Sequence, residues 1–173
     1  MPKSPKTLAP EIMIGVSATV IALASLLLSV WQGLEARHHD RLSVLPRLTF
    51  KNAFATGEPH TGITLANKGV GPAIVQKFAI FVDGKPVESD DFAGWLNALS
   101  QLGINETWAD FHYFGNGDAL SAGETVFILV IAPNEQTPAN RRRLENATRR
   151  LRIVIVYTSV YGQQFTEEYP GKE

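Results

Sequence analysis

The chain has no cysteine, which excludes thiolate nucleophiles, cysteine-ligated zinc and disulfide staples. It also lacks an excess of either charge. With 16 Lys and Arg against 17 Asp and Glu, the formal net charge is -1, and no global field draws the chain to nucleic acid. The compact catalytic motifs are missing too: no H-E-x-x-H pair for a metal, no G-x-S-x-G nucleophile elbow. No internal repeat or low-complexity stretch occurs. Gly69-Val70-Gly71 follows an apparent strand, but Ile74 stands where G-x-G-x-x-G needs its third glycine, and Pro72 precedes a strand instead of a helix. Gly115-Asn116-Gly117-Asp118 is too short for a phosphate loop and lacks the alternating acids of a calcium loop, so it reads as a turn. His38, His39 and Asp40 are adjacent, and neighbouring helical side chains point about 100° apart, too divergent to share one ion easily. His60 and His112 stand alone. A triad assembled in space stays compatible with such a sequence, but no catalytic, metal or cofactor residue is expected, and the chain reads as not an enzyme.

What the chain does have is a run of 20 residues without a charge, Ile12 to Trp31. As a helix that is just enough to cross a hydrocarbon layer about 30 Å thick. Residues 1–11 form a short basic tail with Lys3 and Lys6, residues 12–34 a transmembrane helix, and residues 35–41 a polar juxtamembrane linker. Trp31, Arg37 and Arg41 fall where interfacial residues belong. Ala22-Leu23-Ala24 has the small-x-small form of a signal-peptide cleavage site. Cutting there would leave Leu26-Leu27-Leu28 and Trp31 at the new terminus, and the apolar run exceeds a signal core, so a retained anchor is expected. Lys3 and Lys6 before the span match Arg37 and Arg41 after it, and a wider window adds Arg47 and Lys51 on the domain side, so the charge rule is tied or leans weakly toward a cytoplasmic domain. The short basic tail and the missing cysteine place the tail in the cytoplasm and the domain in the periplasm of a bacterial inner membrane.

Along the helix, Gly15, Ala18, Ala22, Ser25 and Ser29 share one sector roughly 80° wide at about 100° per residue. Val16, Val20, Leu23, Leu27 and Val30 lie across from them. Lipid gives helices no hydrophobic reason to associate, so close approach along small residues is the usual glue. The stripe suggests a partner helix, although small residues are common in any membrane span.

Residues 42–173 have the length of a single domain with a real core. Leu42, Val44, Pro46, Leu48 and Phe50 alternate as in a half-buried strand, with Pro46 marking an edge. Further strand signals lie at Ile63 and Leu65, over Ile74 to Val82, near Trp108 to Phe114, and over Thr125 to Ile131, Leu151 to Thr158 and Gln164 to Tyr169. Asp83-Gly84 suits a tight hairpin turn with Pro86 and Val87 on the return. A helix follows, capped by Ser89 or Asp90, with Phe92, Trp95, Leu96, Leu99 and Leu102 on one face and Gly103 as its stop. Thr137-Pro138 starts a second helix. The expected fold is therefore mainly β: one transmembrane helix and a β-sandwich of about seven or eight strands with one or two inserted short helices.

Asn67-Lys68-Gly69-Val70-Gly71-Pro72-Ala73 supplies left-handed and fixed backbone angles for a corner between two strands. This string resembles the Asn-x-Gly turn of immunoglobulin-like sandwich modules of the CARDB type. Together with Tyr157-Thr158-Ser159-Val160-Tyr161-Gly162 it is similar to the pattern of uncharacterised bacterial single-pass membrane proteins. The resemblance implies an immunoglobulin-like fold and a membrane tether, and it carries over no catalytic residue.

Two surfaces are candidates for docking. Arg141, Arg142, Arg143, Arg149, Arg150 and Arg152 cluster around one acid, Glu145. Guanidinium groups bind carboxylates and phosphates in paired geometry, so the cluster suits an acidic partner or anionic lipid, or else a solvated face. Nucleic acid is disfavoured because no aromatics are interleaved for stacking. Phe111, Tyr113 and Phe114 place large rings on both faces of a strand, so at least one side needs a cover. The expected role is a non-enzymatic accessory subunit of a larger membrane complex, with other integral membrane subunits and the bilayer as partners. Respiratory and photosynthetic complexes recruit such single-span subunits. The alternative is a tethered ligand-binding or sensor module, which predicts an apolar pocket near Trp95 and Trp108.

Overall fold

With no proline or charge from Ile12 to Gly33, a hydrogen-bonded helix forms there without interruption. In the computed structural model it is part of α1, Pro10–Leu42. The stretch Ile12–Gly33 is long and apolar enough to cross a membrane. The structure describes residues 10–42, 44–54, 60–88 and 92–171. These belong to two units, Met1–Leu42 and Ser43–Glu173.

Residues 35–41, expected as a polar juxtamembrane linker, continue the helix. Beyond Gly33 the chain has neither glycine nor proline until Pro46, and Leu, Glu, Ala and Arg are good helix formers. The expected strand start at Leu42 moves for the same reason: Leu42 is the last helical residue, and the first strand, β1, is Leu48–Ala53.

The second unit is a two-sheet β-sandwich with all pairings antiparallel. After β1 come β2 (Gly62–Asn67), β3 (Ala73–Val82), β4 (Lys85–Pro86), α2 (Phe92–Leu102), β5 (Ala109–Phe111), β6 (Ala119–Leu120) and β7 (Thr125–Ile131). A 3-10 turn at Pro133–Glu135 then leads to α3 (Pro138–Thr148), β8 (Leu151–Thr158) and β9 (Gln164–Tyr169). One sheet runs β1-β2-β7-β5; the other runs β4-β3-β8-β9, with β6 also on β3. Pro46 is buried and precedes β1, which is indeed an edge strand.

Alternation decides which side chains face inward. Along β8, Leu151, Ile153, Ile155 and Tyr157 are buried, while Arg152, Val154, Val156 and Thr158 are less so. They meet Leu48, Ile63 and Leu65 of the facing sheet in one cluster with Val75, Phe78 and Ile80. Each such side chain contributes about 1.5–3 kcal/mol on full burial. Polar links also join the sheets: the Leu48 N–H donates to the Tyr157 hydroxyl (3.2 Å) and the Tyr169 hydroxyl to Asn52 Oδ1 (2.8 Å).

At the β3–β4 turn Asp83 and Gly84 both take positive φ, 51° and 76°, as a tight hairpin requires. α2 ends as expected, Gly103 N donating to Ser100 O, while its expected caps Ser89 and Asp90 lie outside the described residues. Thr137 caps α3, accepting from Asn140 N.

Register gives this domain two distinct ends. Ile74 pairs with Thr158 and Val82 with Leu151, about 23 Å away along β8 at roughly 3.3 Å per residue. The near end holds the β2–β3 corner, the β8–β9 turn and the incoming segment Val44–Arg47. The far end holds the Asp83 turn and the arginine-bearing α3.

Candidate functional site

Three regions carry the sequence-derived candidates: the stripe on α1, the aromatic and arginine surfaces, and the corner at the near end. On α1, Gly15, Ala18, Ala22, Ser25 and Ser29 are exposed. A Cβ at Gly15 would meet nothing within 4 Å. Three hydroxyls in this helix bond within it: Ser17 donates to Met13 O (2.8 Å), Thr19 to Gly15 O (2.9 Å) and Ser29 to Ser25 O (2.8 Å). Such back-bonding suits a segment without water. Trp31 is exposed. Arg37 and Arg41 lie on the helical backbone, and their side chains are outside the described residues.

The aromatic set divides. Phe114 is 5% exposed, edge-on to Phe78 at 5.8 Å, and is core, not docking surface. Phe111 is half-buried and rests on Phe92 (5.3 Å) and Trp95 (5.6 Å). Only Tyr113, 42% exposed, offers its ring to solvent. The cover expected over this strand is thus supplied in part by α2. Trp95 is fully buried, its Nε1 donating to His112 O at 2.9 Å, and Trp108 is buried as well. Neither side chain lines the four depressions found among the described residues. One open depression, ≈ 490 Å³, lies beside α2 against Leu96, Leu99, Ser100, Ile104, Asn105 and Glu106. His112 lies against Phe114 and His60 against Phe127. Among the described residues, no three of His, Asp or Glu gather to hold a metal ion.

The arginines divide as well. Arg150 grips Asp83 with two hydrogen bonds, 2.9 and 2.5 Å, and also donates to Gln101 O. The Arg150 guanidinium holds the Asp83 carboxyl below the usual range. Arg152 bonds Glu168 and lies over the Phe81 ring at 4.8 Å. Arg149 pairs loosely with Glu145 at 3.8 Å. Arg141 is half-buried and reaches the Thr61 hydroxyl at 3.3 Å. Arg142 and Arg143 are exposed. Of Phe111, Tyr113, Phe114, Arg141, Arg142 and Arg143, the residues expected at the docking surfaces, Tyr113, Arg142 and Arg143 are exposed.

The near-end corner was legible in sequence only as a turn, and its organising residue was missed. Asn67 is buried, and both ends of its amide are used. Oδ1 accepts from Arg47 N (3.1 Å) and Gly69 N (3.0 Å); Nδ2 donates to Gly71 O (2.8 Å) and Leu120 O (3.0 Å). Its backbone accepts from Gly123 N and donates to Glu124 O. The incoming segment is bonded directly to the corner, Lys68 N to Arg47 O (2.8 Å) and Val70 N to Leu45 O (3.1 Å). Gly69 and Gly71 do not have the left-handed angles expected of them. Their role is close approach: a Cβ would fall 2.3 Å from Leu45 O and 1.9 Å from Val44 O. The available signal was an asparagine at the end of a strand beside two glycines.

No family model, curated protein or solved structure matches the chain. Its function has to be argued from its own residues.

Proposed function

We propose that the chain is a non-enzymatic, single-pass accessory subunit of a larger integral membrane complex. Its helix packs through Gly15, Ala18, Ala22, Ser25 and Ser29, and its sandwich braces neighbouring subunits. The observation that supports this reading is the stripe itself: Gly15, Ala18, Ala22, Ser25 and Ser29 share one face of the membrane-length helix, across from Val16, Val20, Leu23, Leu27 and Val30. Trp95 and Trp108, the residues best suited to lining a ligand pocket, are packed inside the domain. Tyr113, Arg142 and Arg143 offer the domain's contacts to an acidic protein neighbour. In this reading the amino-terminal tail is cytoplasmic and the domain periplasmic, in a bacterial inner membrane; respiratory and photosynthetic assemblies are the natural candidates.

Extraction from native membrane in gentle detergent, followed by native electrophoresis, tests the assignment. Migration in a large complex is expected, with integral membrane companions identified in the band. Migration as a lone 19.0 kDa chain would overturn it. Protease accessibility in sealed vesicles tests the sidedness.

A further inference from the structure

The far end carries a depression of mixed polarity that the accessory-subunit reading does not use. Its volume is ≈ 390 Å³, and Asn52 and Phe54 at the end of β1, Glu145 and Arg149 of α3 and its cap, and Tyr169 and Pro170 at the end of β9 line it. β1 and β9 are the outer strands of their two sheets, and they meet here: the Tyr169 ring lies edge-on to Phe50 at 5.8 Å, and its hydroxyl reaches Asn52. The depression therefore lies wholly within the second unit.

Its polar groups are of both kinds. Asn52 Oδ1 accepts from the Tyr169 hydroxyl at 2.8 Å, and Tyr169 is only 4% exposed, so the fixed amide has its two N–H groups left to give a ligand. Arg149 is held loosely, 3.8 Å from Glu145, and both side chains are exposed. Donors thus come from Asn52 and Arg149, and acceptors from Glu145. The one cation and the one anion in this lining cancel, which leaves no surplus charge to select a free ion. Among the described residues no three of His, Asp or Glu gather to hold a metal either. The half-buried Phe54 and the exposed Pro170 add apolar ring surface beside these groups. A neutral molecule with neighbouring hydroxyls and one C–H face answers every part of this lining, because hydroxyls both donate and accept while the C–H face covers the rings. A sugar ring is such a molecule.

From these observations we propose that the depression binds one neutral sugar ring, with Asn52 and Arg149 donating to its hydroxyls, Glu145 accepting from them, and Phe54 and Pro170 covering its C–H face. The site stands or falls independently of the accessory-subunit reading. Saturation-transfer NMR on the full-length chain in phosphatidylcholine nanodiscs, prepared without glycoside detergents, tests it. The probes are glucose, galactose and N-acetylglucosamine, with acetate as the ionic control. Saturable transfer to the C–H protons of at least one of these sugars is expected. Arg149→Ala and Glu145→Ala should each weaken it about tenfold, the worth of a hydrogen bond to a charged group, whereas Arg142→Ala on the same helix but outside the lining leaves it unchanged. An unchanged thermal midpoint in these surface variants separates lost binding from lost folding. Cellobiose distinguishes a free sugar from the end of a glycan: transfer to its terminal ring admits a chain end, no transfer confines the site to the monosaccharide, and either result upholds it. No saturable transfer to any of the three sugars, or transfer as strong in both alanine variants as in the parent, would overturn the site. Acetate that displaces the sugar and binds more tightly in Glu145→Ala would make this an anion site, and would overturn the proposal as well.

Discussion

The two ends of the sandwich use polar groups in opposite ways. At the near end a single neutral amide, Asn67, is buried with four hydrogen bonds that tie the incoming chain, the corner and the end of β6 together. At the far end charged side chains, Arg150 with Asp83 and Arg152 with Glu168, pair in solvent. Coulomb's law favours the second arrangement on paper, but water already solvates exposed ions, and such pairs contribute little. A buried amide has no water to fall back on, so losing it leaves its partners unsatisfied. Formal charge is therefore a poor guide to which end holds the domain together.

Replacement of Asn67 by Ala should have the largest effect. It leaves the buried carbonyls of Gly71 and Leu120 and the part-buried amides of Arg47 and Gly69 without that partner, a loss of about 3 kcal/mol in urea unfolding followed by tryptophan emission. Gly71→Ala should rank next at about 2 kcal/mol, because its methyl would overlap the Val44 carbonyl oxygen and force the incoming segment outward. Tyr157→Phe removes the acceptor for the Leu48 N–H and should cost about 1 kcal/mol, measured the same way. The smallest effect belongs to Asp83→Asn at the far end, whose midpoint should scarcely move at neutral pH. Its signature is acid sensitivity. The folded-state carboxyl is depressed below its ordinary value of 3.8, so its contribution is present above that value and fades as pH falls through the lowered one. The variant's stability should vary less with pH in that acid range than the parent's. An Asp83→Asn loss as large as that of Asn67→Ala would destroy the contrast between the ends.

Much of the fold was legible from local pattern. The runs Thr125–Ile131, Leu151–Thr158 and Gln164–Tyr169 coincide with β7, β8 and β9, because short β-branched and aromatic runs bounded by turn residues, alternating in β8 and continuously apolar in β7, are local signals. The Asp83-Gly84 hairpin and the Thr137 cap were equally local. What escaped depends on distant partners. β6 is two residues long and exists only because Ala73 and Ile74 pair with it. Phe114 has the same composition cue as an exposed ring, and only the position of Phe78 makes it core. Gly69 and Gly71 were correctly placed at a corner for the wrong reason: their neighbours, Val44 and Leu45, lie more than 20 residues earlier in sequence. The arginine cluster was visible as composition, but its division into paired and exposed members required Asp83 and Glu168 to be located in space.

The bonds that Leu45 and Arg47 make with the corner also bear on mechanical load. Tension pulling on the polypeptide at Val44 meets the Val70 N–H on Leu45 and the Asn67 amide on Arg47 before it reaches Leu48, the first rung between β1 and β2. The strain is thus shared by several transverse bonds at the base of the domain, and the edge strand is protected from being peeled away one rung at a time.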